Sequence, residues 1–279
     1  MKYIASCSFG KDSVATVLLA LEHNEPLDEV VFAEVMYDHA RNMSGEIPEH
    51  IDWIRKTAIP KFAEMGVKTT ILRSERDYIY YFKSAVRRGR YEGKFYGFPI
   101  GGKCVISRDC KINPIKKYLQ QVGEEVTQYI GIAIDEPKRL ARLTGNKISL
   151  LSKYGYTEAM AKELCKKYNL LSPIYDTDTR GGGWFCPNAR ICNLSKLRKN
   201  HPDLWQELER LSQTPNLCSY GFKYGKTVQE VAAKLDNYDK KQAEIMNIRE
   251  QQLTLFPELE KEFAGGGVSC SMLTRARRR

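Results

Sequence analysis

Apolar residues in the first half of the chain fall into short β-prone runs separated by longer stretches of helical period. Tyr3 to Cys7 predicts a strand. Val14, Val17, Leu18 and Leu21 then recur on one helical face, with Asp12 or Ser13 as N-cap. Glu29 to Met36 predicts a second strand, and Tyr37 to Glu49 a polar loop. A helix is predicted over about Glu49 to Met65, with Ile51, Ile54, Ala58 and Phe62 on one face. Pro48 suits its start, Pro60 would kink it and Gly66 would close it. Lys68 to Leu72 and Thr127 to Ile132 predict further strands. Strands that alternate with helices of a dozen or so residues predict an α/β fold with a parallel sheet and right-handed crossovers. Later helices are expected from Pro114 to Gln121, over 154–170 capped near Thr157, over 194–200 and 202–212, and from Tyr238 to Gln252.

Composition narrows the class. The chain has 279 residues, 42% of them hydrophobic, which is ordinary for a globular protein with a substantial core. No run approaches the roughly 18 apolar residues of a membrane span. Met1-Lys2 leads straight into a strand, so no signal peptide is expected and the protein is read as cytoplasmic. A reducing compartment disfavours disulfides, so the eight cysteines need another account. The net charge of +10, from 44 basic and 34 acidic residues, favours a polyanionic partner such as DNA or RNA, or anionic small substrates.

The first strand and helix are joined by Ser8-Phe9-Gly10-Lys11-Asp12-Ser13. A small-residue turn at a helix N-terminus is an anion site, because free N–H groups and the helix dipole converge there. Gly10 admits close backbone approach, Lys11 adds a point charge, and Ser8 and Ser13 add hydroxyl donors. The spacing is not that of a Walker A loop. It resembles the PP-loop, Ser-Gly-Gly-x-Asp-Ser, of the adenine-nucleotide α-hydrolase-like enzymes, with Phe9 in place of a usual Gly.

Further stretches are similar to the phosphoadenylylsulfate (PAPS) reductase family of that superfamily, including its DNA-phosphorothioation and iron–sulfur members. Ser44-Gly45-Glu46-Ile-Pro48-Glu49 resembles the family's Thr-Gly-x-Glu-x-Pro-Glu, with Glu46 one place early. Lys111-Ile-Asn-Pro114-Ile follows a cysteine as in the family. Gly131-Ile-Ala133-Ile-Asp135-Glu136-Pro-Lys-Arg139 resembles Gly-x-Arg-x-Asp-Glu-Ser-x-x-Arg, with Ala133 in place of the first Arg and Arg139 one place early. Ser172-Pro-Ile-Tyr175, then Arg180 to Pro187, resembles Ser-Pro-x-Tyr followed by Arg-x-Gly-Cys-x-x-Cys-Pro, with Gly183 at the first cysteine.

The resemblance implies a doubly wound, mostly parallel, Rossmann-like sheet with cysteine-containing loops and a helical C-terminal region. It places a nucleotide-binding domain at 1–212, a helical extension at 213–250 and a flexible tail at 251–279. It implies ATP or a related adenylate held by Ser8, Phe9, Gly10, Lys11, Asp12, Ser13 and Glu46, with Asp135 and Glu136 disposed to hold Mg²⁺. Lys11, Asp12 and Arg139 are the catalytic set. Lys11 would stabilise charge developing at the α-phosphate, Asp12 would orient the loop or the metal, and Arg139 would face the nucleotide. The implied reaction activates a substrate by adenylation with release of pyrophosphate, in a bacterial or phage protein. The favoured version is sulfur modification of DNA or tRNA. Alternatives are reduction of an adenylylated sulfate, whose Glu-Cys-Gly-Leu/Ile-His signature is absent, and a nucleotide-sensing or clamp-associated binding protein without turnover.

Cys104-x5-Cys110 and Cys186-x5-Cys192 are two pairs of equal spacing in turn-rich, basic surroundings. Four thiolates suit tetrahedral Zn²⁺ or a [4Fe–4S] cluster, and the resemblance favours the cluster. Cys7 and Cys165 read as core; Cys218 and Cys270 read as bystander thiols, with a sulfur carrier as the alternative. His23, His39, His50 and His201 lack metal spacing and read as surface or capping residues. Residues 73–103 interleave Arg, Lys and Tyr. That suits either a nucleic-acid surface or an amphipathic helix with its tyrosines turned inward. Gln252-Leu253-Thr-Leu255-Phe256 resembles the bacterial sliding-clamp-binding peptide.

Overall fold

The structure, a computed structural model, describes residues 1–99, 104–123, 125–177 and 182–255. Chain contacts divide it into two compact units. The first takes Met1–Ala85, Gly101–Asp176 and Arg180–Gly183, and the second Val86–Ile100, Thr177–Thr179 and Trp184–Arg279.

The first unit is an α/β layer structure. Strands β1 (Lys2–Ser6) and β2 (Glu29–Glu34) pair in parallel, with helix α1 (Lys11–Glu22) between them in sequence. A short antiparallel hairpin follows, β3 (Met36–Asp38) with β4 (Met43–Ser44). It occupies the start of the stretch read as polar loop. Asn42, in the left-handed region at φ 48°, closes its turn with an N–H donated to the His39 carbonyl. Asn tolerates that backbone better than most residues, which is why the hairpin leaves no apolar signature.

The helix expected over 49–65 comes in three pieces: α2 (Pro48–Trp53), a π turn over Ile54–Ala58, and α3 (Ile59–Glu64). Pro60 has no N–H to give and its ring crowds the carbonyl four residues back; a wider turn relieves both. The same device recurs at Ser107–Ile112, just ahead of Pro114 in α5 (Asn113–Gln121). Between these lie β5 (Thr69–Arg73) and α4 (Tyr78–Lys83). After them come β6 (Val126–Ile130), α6 (Pro137–Leu140), β7 (Lys147–Ile148), α7 (Leu150–Lys153), α8 (Glu158–Lys167) and α9 (Ile174–Thr177). Thr157 caps α8 as the sequence suggests, accepting from the Met160 N–H.

All five strands of the main sheet run parallel, in the order β5-β2-β1-β6-β7. The chain winds outward from β1 through β2 to β5, then restarts on the other side with β6. The order therefore reverses between β1 and β6, and loops leaving those strands open a crevice at their carboxyl ends. Every residue of β2 is buried, as a central parallel strand requires. Val30 and Phe32 join α1 in the core; Val31, of opposite parity, is fully buried outside that cluster. The buried Glu34 at the strand's end is matched by Arg55 at 2.7 Å and Arg73 at 2.8 Å.

The second unit is built from α10 (Ile191–Asn200), α11 (Pro202–Ser212) and α12 (Val228–Leu255). Leu194, Leu197, Leu204, Trp205, Leu208, Leu211, Val231 and Leu235 are buried in it. Arg198 ties α10 to Asp236 and Asp239 of α12, at 2.7 and 3.2 Å. Helix α12 starts ten residues before the helix expected from Tyr238, because its first turns carry the core residues Val231 and Leu235 among polar neighbours. In the proposed clamp peptide, Gln252, Leu253 and Leu255 belong to α12 by their backbone, and Phe256 lies outside the described residues.

The basic and aromatic run proves mixed. Tyr78 and Phe82 of α4 point inward, whereas Tyr80, Tyr91 and Tyr96 are exposed. No helix among the described residues is long and apolar enough to cross a membrane.

Candidate active site

The turn after β1 is set by its backbone. Phe9 stands at φ 57°, in the left-handed region that glycine enters freely and a bulky residue enters at a cost. Its ring is fully buried, edge-on to Phe32 at 5.3 Å and stacked on Phe62 at 5.6 Å. Three aromatic rings thus stabilise a conformation that the sequence would ordinarily assign to Gly. Gly10, not Asp12 or Ser13, is the N-cap of α1, in extended backbone with no side-chain cap. The shift leaves Asp12 and Ser13 inside the first turn, where neither N–H has an acceptor among the described residues. The Lys11 N–H donates to Tyr175 Oη at 2.9 Å.

Gly131, just past β6, lies hard against this helix start. A Cβ there would fall 2.7 Å from the Ser13 nitrogen and 2.8 Å from the Asp12 carbonyl oxygen. Only glycine lets β6 approach so closely.

A cleft of about 200 Å³ opens at this point, lined by Ser8, Gly10, Asp12, Ser13, Glu46, His50, Lys111, Gly131, Arg139, Tyr175 and Gly182. Ser8, Gly10, Asp12, Ser13, Glu46 and Arg139 were named from three separate stretches of sequence, and the fold brings all six to one place. Phe9 lies beneath the cleft as core. The Lys11 ammonium is held by Asp12 at 2.7 Å and Glu158 at 3.1 Å. Asp135 accepts the Glu158 N–H at 3.1 Å. Glu136 receives Arg139 through both carboxylate oxygens, at 2.6 and 2.7 Å. Asp135 and Glu136 therefore support the rim rather than line the cleft.

The site's electrostatics follow from burial. Desolvation raises the Asp12 carboxyl above its ordinary value, although Lys11 pulls the other way. Burial works against the Lys11 charge, yet Asp12 and Glu158 outweigh it and hold the ammonium above the usual lysine range. Lys111 reaches the buried Glu46 at 3.2 Å.

His50 overturns the reading of it as a surface or capping residue: it is 3% exposed and faces the cleft. Its Nδ1 lies 2.8 Å from Ser172 Oγ and its Nε2 3.3 Å from the Ser8 carbonyl oxygen. A carbonyl can only accept, so this partner assigns the proton to Nε2 and leaves Nδ1 to accept from Ser172. Burial lowers the His50 pKa, which favours that neutral ring.

His50, Lys111 and Tyr175 complete the cleft without having been expected at the site. Each sits inside a motif stretch already recognised, so position beside Pro48-Glu49, Asn113-Pro114 and Ser172-Pro173 was the available signal. Gly182 likewise falls in the recognised stretch from Arg180 to Pro187, at its Gly position.

The cysteines divide differently. Cys7 and Cys165 are buried near α1, and burial pushes their thiols up to about 11 and about 12. Cys165 donates to the Lys11 carbonyl at 3.2 Å, a packing role. Cys104 and Cys110 belong to the first unit, Cys186 and Cys192 to the second. Cys104, Cys110 and Cys186 are free thiols, whereas Cys192 is disulfide-bonded. Cys110 donates to the Arg76 carbonyl at 3.4 Å, and burial lifts its thiol to about 11. No group of three or more His, Cys, Asp or Glu poised to hold a metal occurs among the described residues.

The chain matches no protein-family model and no curated protein sequence. Among solved structures it is similar to the U34-tRNA thiolase NcsA from Methanococcus maripaludis, solved with its [4Fe–4S] cluster. The identity is 16% and the TM-score 0.40, over 84% of this chain and 81% of the other.

Proposed function

We propose that this chain is a PP-loop enzyme that binds ATP or a related adenylate and activates an acceptor at the α-phosphate. One observation carries the reading: six residues from three motif stretches converge on one cleft, at the strand-order reversal and the open N-terminus of α1. The free N–H groups of Asp12 and Ser13, with the helix dipole, would receive phosphate oxygens. Arg139, presented by Glu136, would add a planar donor fork. Lys11 would offset the charge that develops on the phosphates.

In the proposed step the acceptor's nucleophilic atom bonds to the α-phosphorus. The P–O bond bridging the α- and β-phosphates breaks, and its electron pair leaves with pyrophosphate. A Mg²⁺ ion would supply charge neutralisation on the phosphates when bound. Asp12 is the carboxylate placed to meet it, and Mg²⁺ sites of this kind use one or two carboxylates plus substrate oxygens. The proposed acceptor is a nucleic acid, DNA or tRNA, as the net charge of +10 favours. Cys104, Cys110, Cys186 and Cys192 stand apart from this chemistry, and the proposed step needs no iron–sulfur cluster or Zn²⁺.

The test is calorimetric titration with ATP, then pyrophosphate release with ATP and nucleic-acid acceptors. Saturable ATP binding that is lost in Asp12→Ala, together with acceptor-dependent pyrophosphate, is the expected result. A chain that binds no adenine nucleotide would refute the reading.

A further inference from the structure

We infer that the second unit carries an open binding surface for an unpaired nucleic-acid strand, built from residues 86–97 and 216–226. The inference rests on the nucleic-acid acceptor proposed above and assigns it a place on the protein.

The two segments are knit together by backbone. Phe95 and Leu217 form an isolated parallel bridge. The Phe95 N–H donates to the Asn216 carbonyl at 2.9 Å, and the Cys218 N–H to the Phe95 carbonyl at 2.8 Å. Asn216 Nδ2 adds a bond to the Gly93 carbonyl at 3.0 Å. Phe98 and Phe222 pack edge to face beneath them, with centroids 5.0 Å apart. This is one platform, not two separate loops.

Its outer side is aromatic and cationic. Tyr91, Tyr96, Tyr220 and Tyr224 are 42, 56, 48 and 78% exposed, whereas Tyr37, Tyr78 and Tyr129 elsewhere in the chain are fully buried. Burying such rings is favourable, and four left in water on two segments tied together by backbone bonds suit a contact surface. Exposed Arg87, Arg88, Arg90 and Lys94 accompany them, against Glu92 alone within these segments. Among the described residues, Arg87, Arg88 and Arg90 enter no ion pair. Arg90 and Lys94 instead flank the Tyr91 ring, at 5.6 and 5.9 Å from its centroid.

Tyr224 is presented deliberately. Lys223 and Lys226 pair antiparallel across Tyr224 and Gly225, both at positive φ, 53° and 74°. Two successive positive-φ residues make a turn that normally takes Asn-Gly, and a tyrosine there is strained. The Lys223 ammonium is buried, donates to the Pro187 and Ala189 carbonyls at 2.9 and 2.7 Å, and lies 4.3 Å from the Tyr224 centroid. The ring is gripped on one side and open on the other.

Exposed rings at intervals with unpaired cations between them suit splayed bases and their phosphates. A duplex keeps its bases stacked on one another and unavailable to the rings.

The test is fluorescence anisotropy on the full chain, without nucleotide, using labelled single-stranded RNA, single-stranded DNA and a duplex of the same sequence. Single strands should bind more tightly than the duplex. Preference for the ribo-strand would identify RNA as the source, and equal binding the unpaired strand itself. Tyr91→Ala, Tyr96→Ala, Tyr220→Ala and Tyr224→Ala should each weaken single-strand binding about fivefold or more, while Tyr→Phe variants keep it within about twofold. Combined Arg87→Ala, Arg88→Ala and Arg90→Ala should flatten the slope of log K against log salt by about 2. Equal binding of duplex and single strand with the Tyr→Ala variants unaffected would overturn the inference, as would no binding at low salt. Lys11→Ala should bind strands as the wild type does. A wild-type chain that binds strands but no ATP would therefore sink only the enzyme reading, and one that binds ATP but no strand only this one.

Discussion

Lys11 and Arg90 are both cations, and the two units treat them in opposite ways. Lys11 is largely buried and engaged twice, by Asp12 and Glu158. Arg90 is exposed and, among the described residues, is set against the ring of Tyr91. Phe9 and Tyr96 repeat the contrast among aromatics, the first fully buried at a strained backbone and the second more than half exposed. An enclosed site organises its charges before the ligand arrives, so few groups act and each matters greatly. An open platform shares its work among weak, repeated contacts, so each group matters modestly.

The contrast is sharpest in catalysis. Lys11→Ala should lower acceptor-dependent pyrophosphate release by about 10²–10³-fold. Arg90→Ala should leave release at saturating acceptor within about twofold. Equal losses from both would erase the distinction. Stability comes next. Phe9→Gly removes a buried ring, a change that costs about 3–5 kcal/mol. It also relieves the left-handed backbone, returning about 1 kcal/mol. Urea unfolding should show a net loss of about 2–4 kcal/mol, against less than about 0.5 kcal/mol for Tyr96→Ala.

A smaller effect is expected from Gly131→Ala, whose methyl group would press on the Ser13 nitrogen. Overpacking of this kind costs about 1–3 kcal/mol. ATP affinity should fall roughly tenfold, by calorimetry, with strand binding unchanged.

The smallest effect is pH-dependent. His50 has a folded-state pKa below its ordinary value because burial disfavours the imidazolium; Glu46 opposes this and Lys111 adds to it. A lowered histidine stabilises the fold fully above its unfolded pKa, about 6.5, and loses that contribution as pH falls through the folded value. Unfolding midpoints should therefore drop on acidification below about 6.5, and His50→Gln should flatten that limb relative to wild type.

Much of the first unit was legible because its signals are local. Apolar runs placed β1, β2 and β5 to within a residue or two, apart from the end of β2, and Pro48, Gly66 and Thr157 marked helix ends correctly. The cleft was legible in part, because its backbone-dependent residues sit in recognisable stretches. His50 escaped because a buried, neutral histidine bonded to Ser172 looks in sequence like any polar residue at a helix start. The capping role of Gly10 escaped because a hydroxyl or carboxylate is the ordinary N-cap, whereas this helix leaves its first turn open. The platform escaped because half of it, 216–226, reads as an unremarkable loop until Phe95 pairs with Leu217.

The π turns ahead of Pro60 and Pro114 act as phase shifters. One extra residue in a turn rotates everything beyond it by about 100° about the helix axis. Lys111 lies within the second of these turns, with Cys110 buried beside it. Deleting one residue between Ser107 and Cys110 would restore ordinary helical phase and swing the preceding side chains to another azimuth relative to Lys111. The proline, which is not among the residues lining the cleft, thus sets the angular bearing of a cation that is.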